Sequence, residues 1–247
     1  MDIKITPSKL SGKLIVPPSK SISHRMLICA AFCDGTTHID NLLECMDLHA
    51  TINALTALGV KINGKDGSYD ITGITTPSEK ATVDCFESGS TLRFMIPIFS
   101  AFGCEAEFTG GGKLPERPIT PLIEPMTENG AVFETLSMPY RIKGRLNGGK
   151  YYIDGSVSSQ FITGLLFALS VLSKDSEIIL TTRLESKPYV NITIDCMKQF
   201  GVGVCKTENG YFIKGGQKYK PHNCTVEADM SQSAFFLAAN CAGSDIE

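Results

Sequence analysis

The sequence predicts an α/β fold of three βαβ-containing units about a pseudo-threefold axis, with parallel helices buried within and sheets outside. Three observations point there. Two landmarks recur together at a fixed period, each unit holds one helix that is apolar almost all round, and the chain is long enough for one substantial core. Its 247 residues are 43% hydrophobic and 20% charged, the profile of an ordinary globular protein.

The period is read from glycines. Gly59, Gly130 and Gly201 each follow an apolar stretch and precede Val60, Ala131 and Val202, at a spacing of 71 residues (130 − 59 and 201 − 130). Tyr69–Gly73, Tyr140–Gly144 and Tyr211–Gly215 repeat downstream in the same register. Solenoid repeats have periods of roughly 20 to 50 residues, so a longer period favours a closed three-unit domain.

Each unit reads as a strand, a small-residue turn, an apolar helix, a strand, a second helix and a hairpin. In the first unit the helix after Ser21 carries Met26, Leu27, Ala30 and Ala31. Its counterpart after Ser90 carries Leu92, Phe94, Met95, Ile98 and Phe99, and the one after Ser159 carries Phe161, Ile162, Leu165, Leu166, Ala168 and Leu169. Helices apolar on every side belong in the interior. The second helices, such as Leu48–Leu58 and Val190–Phe200, alternate polar and apolar faces and are expected outside. Glycine suits their ends because it adopts the left-handed conformation at low cost.

Composition excludes several classes. A formal charge of -3 lacks the basic excess of a general nucleic-acid binder. Met1–Leu10 has no uninterrupted apolar segment of the signal-peptide kind. The longest apolar run, Phe161–Leu172, is short and broken by Thr163, Gly164 and Ser170, which fits a buried helix better than a membrane span. Nine scattered cysteines suit reduced structural thiols and a cytoplasmic location. Cys29 and Cys33 are spaced to share a helix face. His24, His38, His49 and His222 lack metal-ligand spacing and read as surface or packing residues. No Gly-Lys pair is followed by Ser or Thr, Gly201-Val202-Gly203 lacks a third glycine, and no G-x-S-x-G elbow occurs.

What remains is an anion site. Ser19-Lys20-Ser21, Ser88-Gly89-Ser90 and Ser158-Ser159-Gln160 occupy equivalent turns before the three apolar helices. Threefold symmetry sends all three helix N-termini to one end, where free N–H groups and positive dipole ends favour an oxyanion. Lys20, Arg25, Arg93, which opens the second of these helices, and Arg117, in the Gly110–Pro121 loop, add cations suited to phosphate and carboxylate. The serines also serve as helix N-caps without any ligand.

Pro18-Ser19-Lys20-Ser21-Ile22-Ser23-His24-Arg25 resembles the opening motif of the 5-enolpyruvylshikimate-3-phosphate synthases. Glu87-Ser88-Gly89-Ser90-Thr91-Leu92-Arg93 resembles their glycine loop, with Glu87 where asparagine is frequent, and Leu114-Pro115-Glu116-Arg117-Pro118-Ile119 resembles their arginine loop. Ser158-Ser159-Gln160 and Ser186-Lys187-Pro188-Tyr189 follow in family order. The resemblance implies the inside-out α/β barrel of the enolpyruvyl transferase type. It implies transfer of the enolpyruvyl group from phosphoenolpyruvate to the 5-hydroxyl of shikimate 3-phosphate, with no metal or organic cofactor.

By the same resemblance Lys20, Ser21, Arg25, Ser158, Ser159, Gln160, Ser186 and Tyr189 contact shikimate 3-phosphate. Lys20, Gly89, Arg117 and Gln160 contact phosphoenolpyruvate, and Arg93 supports the second loop. The expected partners are these two small molecules, with no nucleic acid or membrane, and the chain is expected to be a monomer. Residues 1–17 are expected to be the outgoing piece of a split first domain, 18–226 the shikimate-phosphate domain, and 227–247 the start of the return. The family's catalytic carboxylates are expected beyond Glu247, so this chain alone is expected to bind rather than turn over. Two alternatives are a non-catalytic phosphometabolite-binding module and the sister enzyme acting on UDP-N-acetylglucosamine. The latter uses a loop cysteine that Gly110–Pro121 lacks.

Overall fold

The computed structural model describes residues 4, 6 and 8–247; the expectation for Met1–Leu10 falls partly outside them. The first unit contains α1 (Lys20–Ala31), β2 (Thr36–Asp40), α2 (Met46–Leu58), β3 (Lys61–Lys65) and β4 (Ser68–Thr72), after a short β1 (Ser11–Gly12). The second contains β5 (Lys80–Asp84), α3 (Gly89–Phe102), β6 (Glu105–Thr109), α4 (Thr120–Glu128), β7 (Ala131–Phe133) and β8 (Tyr140–Gly144). The third contains β9 (Lys150–Ile153), α5 (Ser159–Ser170), β10 (Ser176–Leu180), α6 (Lys187–Gln199), β11 (Cys205–Thr207) and β12 (Gly210–Ile213). β13 (Cys224–Thr225), α7 (Met230–Cys241) and β14 (Asp245–Ile246) follow.

Three four-stranded sheets share one topology: β13-β2-β4-β3, β5-β6-β8-β7 and β9-β10-β12-β11. In each, the first pair is parallel and the other two are antiparallel. The 71-residue period is thus a structural repeat. The first unit departs from the pattern at its leading strand. That place is filled by β13, whose Cys224 pairs with Ile39 and Thr225 with Asp40, while β1 pairs with β14. The two chain crossings lie side by side: Ser19 donates its N–H to the Glu227 carbonyl, and Asp229 donates to that of Pro17, both at 2.9 Å.

α1, α3 and α5 form the interior, as their all-round apolarity requires. Leu27, Ile28, Phe99, Phe161, Leu165 and Phe167 are fully buried. The second helices keep a solvent-facing side, as their alternation of polar and apolar residues requires. α2 packs between α1 and α3, and α6 between α1 and α5, each using one face; only α4 stays outside the helix layer, against β7 and β9. α3 and α5 approach each other closely at Gly164. A methyl there would lie 2.3 Å from the Arg93 carbonyl oxygen and 2.9 Å from Pro97 Cγ, so only glycine permits this approach. α1 also ends at Ala31. Cys33 lies beyond the helix rather than on its face, although its thiol still donates to the Cys29 carbonyl at 3.4 Å.

The glycines after the second helices behave as expected. Gly59, Gly130 and Gly201 have φ of 112°, 105° and 83°, where a side chain would be strained.

Candidate anion-binding site

The three inner helices are bonded to one another and to α2 and α6 through residues of their first two turns. Ser88 Oγ caps α3 by accepting from Thr91 N, and Ser158 Oγ caps α5 by accepting from Gln160 N; Ser19 makes no side-chain cap bond. Gln160 Nε2 donates to Ser90 Oγ at 2.9 Å, joining α5 to α3. Arg25 joins α1 to α5 through Thr163 Oγ1 at 3.4 Å. Contacts within the first two turns put the three N-termini at the same end, so their dipoles act on one region.

Arg25 is 3% exposed. Its Nε donates to Thr193 Oγ1 at 2.8 Å, Nη1 to the Ser21 carbonyl at 2.7 Å and Nη2 to the Tyr189 carbonyl at 3.2 Å. Its guanidinium also lies 5.4 Å from the centre of the Phe94 ring. Every one of these partners is uncharged. Burial pulls its pKa down to about 10, which still leaves a cation at neutral pH. A buried charge without a counter-ion is costly, and an arriving anion relieves that cost.

A second cluster surrounds Gly89. A Cβ at this residue would lie 3.1 Å from Arg117 Nη1, 3.6 Å from Arg93 Nη1 and 3.8 Å from Gln160 Oε1. Arg93 Nη1 donates to Gln160 Oε1 at 2.5 Å and Nη2 to the Pro118 carbonyl at 3.4 Å, while its guanidinium stacks 4.9 Å from the Phe161 ring. Burial, and then the neighbouring Arg117 charge, lower the Arg93 pKa. Arg93 sits one turn inside α3 rather than opening it, since the helix starts at Gly89. None of the ion pairs among the described residues involves Arg25, Arg93 or Arg117.

The remaining candidate residues fall only partly into these clusters. Lys20 Nζ meets Asp47 Oδ2 at 2.9 Å. Ser21 is half-buried and Ser159 is buried. Ser186 is a left-handed residue with φ 54° at the start of α6 and makes no side-chain cap bond. Tyr189 offers its carbonyl to Arg25 and is itself 44% exposed. Arg25, Tyr189 and Ser21 form one group, and Gly89, Ser90, Arg93, Arg117 and Gln160 form another. Lys20 stands with Asp47.

Several residues of this end carry no motif that marks them in the sequence. Thr163 and Thr193 pair at 2.9 Å beneath Arg25. Thr51 joins His24 Nδ1 and Thr91 Oγ1, each at 2.8 Å. His24 is buried and neutral: burial first, then Arg25, lower its pKa to about 3. The repeat itself holds a signal for two of them, because Thr51 and Thr193 fall two repeat lengths apart in α2 and α6.

A closed trio of α/β units, with sheets outside and parallel helices aimed at one cationic end, defines the enolpyruvyl-transferase class of domain. Comparison with known proteins agrees. The family model for EPSP synthase (3-phosphoshikimate 1-carboxyvinyltransferase) matches residues 5–246, and the chain belongs to that family. The 3-phosphoshikimate 1-carboxyvinyltransferase of Clostridium kluyveri is 46% identical over 99% of this chain and 58% of its own length. That of Clostridium beijerinckii is 41% identical, covering 99% and 59%. The solved EPSP synthase of Acinetobacter baumannii superposes with a TM-score of 0.79 at 28% identity, over 93% of this chain and 52% of that one. The chain therefore spans a little over half the length of the curated relatives it matches.

Proposed function

We propose that this chain supplies the shikimate-3-phosphate-binding part of an enolpyruvyl transferase. The reaction moves the enolpyruvyl group of phosphoenolpyruvate onto the 5-hydroxyl of shikimate 3-phosphate and releases phosphate, a step toward aromatic amino acids. Lys20, Ser21, Arg25, Ser158, Ser159, Gln160, Ser186 and Tyr189 are proposed to hold shikimate 3-phosphate. Lys20, Gly89, Arg117 and Gln160 are proposed for phosphoenolpyruvate, with Arg93 bracing Gln160. The substrates together bring two phosphates and two carboxylates. Fixed cations and helix ends offset that repulsion without reorganising, which is the main physical task of such a site.

The observation that carries this reading is Arg25, a buried cation whose partners are all neutral. The paired guanidiniums at Gly89 add a second anion position beside the first. Residues 18–226 are proposed as the shikimate-phosphate domain, with residues 1–17 and 227–247 leading to and from a second domain. The adjacent crossings at Pro17–Ser19 and Glu227–Asp229 support that division. Turnover is proposed for protein that carries both domains. No helix among the described residues is long and apolar enough to cross a membrane, and a cytoplasmic, monomeric protein fits the reading.

Titration calorimetry of this chain with shikimate 3-phosphate tests the proposal. Binding that weakens steeply as salt is raised is expected. Absence of heat at millimolar ligand would remove it.

A further inference from the structure

Asp47 lies in the first turn of α2, and nothing in its sequence context marks it for a role. Its Oδ2 accepts from Lys20 Nζ at 2.9 Å. Its backbone carbonyl accepts from Thr91 Oγ1 at 3.2 Å and from Thr51 Oγ1 at 3.4 Å. Thr91 Oγ1 is also within hydrogen-bond distance, 2.8 Å, of Ser88 Oγ, the cap of α3. One residue therefore grips the cation at the start of α1 with its side chain and the first turn of α3 with its main chain.

Stability does not account for this arrangement. The Lys20 and Asp47 side chains are 46% and 29% exposed, and ion pairs so open to water contribute little. Order is the more telling consequence. Lysine has a flexible stem and is among the side chains that lose most freedom when fixed. A lysine at the rim of an anion site is more useful if that freedom is already lost before the ligand arrives.

We propose that Asp47 is a positioning residue, holding the Lys20 ammonium in register with the first turn of α3 and leaving its two other N–H groups for an incoming anion. This rests on the reading of this end as the shikimate 3-phosphate site and adds what orients its lysine. Asp47 has two opposed effects on a bound anion: it orders Lys20, and its own charge repels. Ordering dominates while Lys20 is present. Only repulsion remains when Lys20 is gone.

The test is a mutant cycle on the 247-residue chain with Asp47→Asn, Lys20→Ala and the double variant. Asparagine keeps the backbone carbonyl that receives Thr91. By calorimetry, Asp47→Asn should weaken shikimate 3-phosphate binding roughly fivefold to tenfold with Lys20 present, part of the freedom a lysine loses on ordering. With Lys20 absent it should not weaken binding at all. Asp47→Glu should restore most of the affinity. In the ligand-free protein, side-chain carbon NMR should find Lys20 ordered in the wild type and as mobile as a free surface lysine in Asp47→Asn. Equal weakening in both backgrounds, tighter binding by Asp47→Asn beside Lys20, or an unchanged Lys20 signal would each overturn the inference. If the wild type takes up no shikimate 3-phosphate, the functional reading fails, and the NMR comparison still decides on Asp47 by itself.

Discussion

Replacing Arg25 with methionine separates stability from binding. Burial depresses this guanidinium to about 10 from its ordinary value above 12, and one pKa unit is about 1.4 kcal/mol, so keeping it charged costs the ligand-free fold about 3 kcal/mol. Its hydrogen bonds return part of that. Methionine removes the cost and fills most of the volume. It strands few partners, because Thr193 Oγ1 still has Thr163 Oγ1 at 2.9 Å and the Tyr189 carbonyl at 2.9 Å. The ligand-free Arg25→Met protein should therefore be as stable as the wild type or more stable, by about 1–3 kcal/mol. For a chain of this size that is roughly 2–4 °C in Tm per kcal/mol. Binding of shikimate 3-phosphate should fall by about a hundredfold or more, as expected for losing charge-assisted hydrogen bonds worth roughly 1.5–3 kcal/mol each. Urea unfolding followed by circular dichroism gives the first quantity and calorimetry the second. Destabilisation beyond about 2 kcal/mol with binding intact would refute the reasoning, since Arg25 would then be a structural tie.

Two further predictions concern the helix layer. Gly164→Ala should lower stability by about 1–3 kcal/mol, as overpacking does, because its methyl would meet the Arg93 carbonyl oxygen at 2.3 Å and Phe94 Cα at 3.2 Å; an unchanged urea midpoint would contradict the α3–α5 contact. His24 should make the fold acid-sensitive. The unfolded chain takes up its proton near 6.5 while the folded chain resists until about 3, so stability is complete above the first value and is lost as pH falls toward the second. The contribution is up to about 1.4 kcal/mol per pH unit in that window. His24→Gln should flatten the urea-midpoint profile between pH 6 and 4, and an identical slope in both proteins would dismiss the histidine as its source.

Much of this protein is legible in the order of its residues. The spacing of Gly59, Gly130 and Gly201, the apolar runs after Ser21, Ser90 and Ser159, and the hairpins closing at Gly73, Gly144 and Gly215 are local features. Backbone conformation and helix amphipathicity act over a few residues, so the string of residues carries them directly. The motifs around Lys20, Gly89 and Arg117 are equally plain, because their chemistry is bound to residue type.

The tertiary structure decided everything that depends on distant parts of the chain meeting. β13 closes the first sheet from 185 residues away in sequence (224 − 39), with Cys224 opposite Ile39, and no local pattern announces that exchange. Gly164 lets α3 and α5 come together, a consequence of one missing methyl facing another helix. Arg25 becomes an unpaired buried cation only because Thr163, Thr193 and the Tyr189 carbonyl arrive from 138 to 168 residues away. Charge, shape and periodicity belong to single segments and can be read in order. Burial and the identity of a charge's neighbours are properties of the packed whole, and they exist only once those segments have come together.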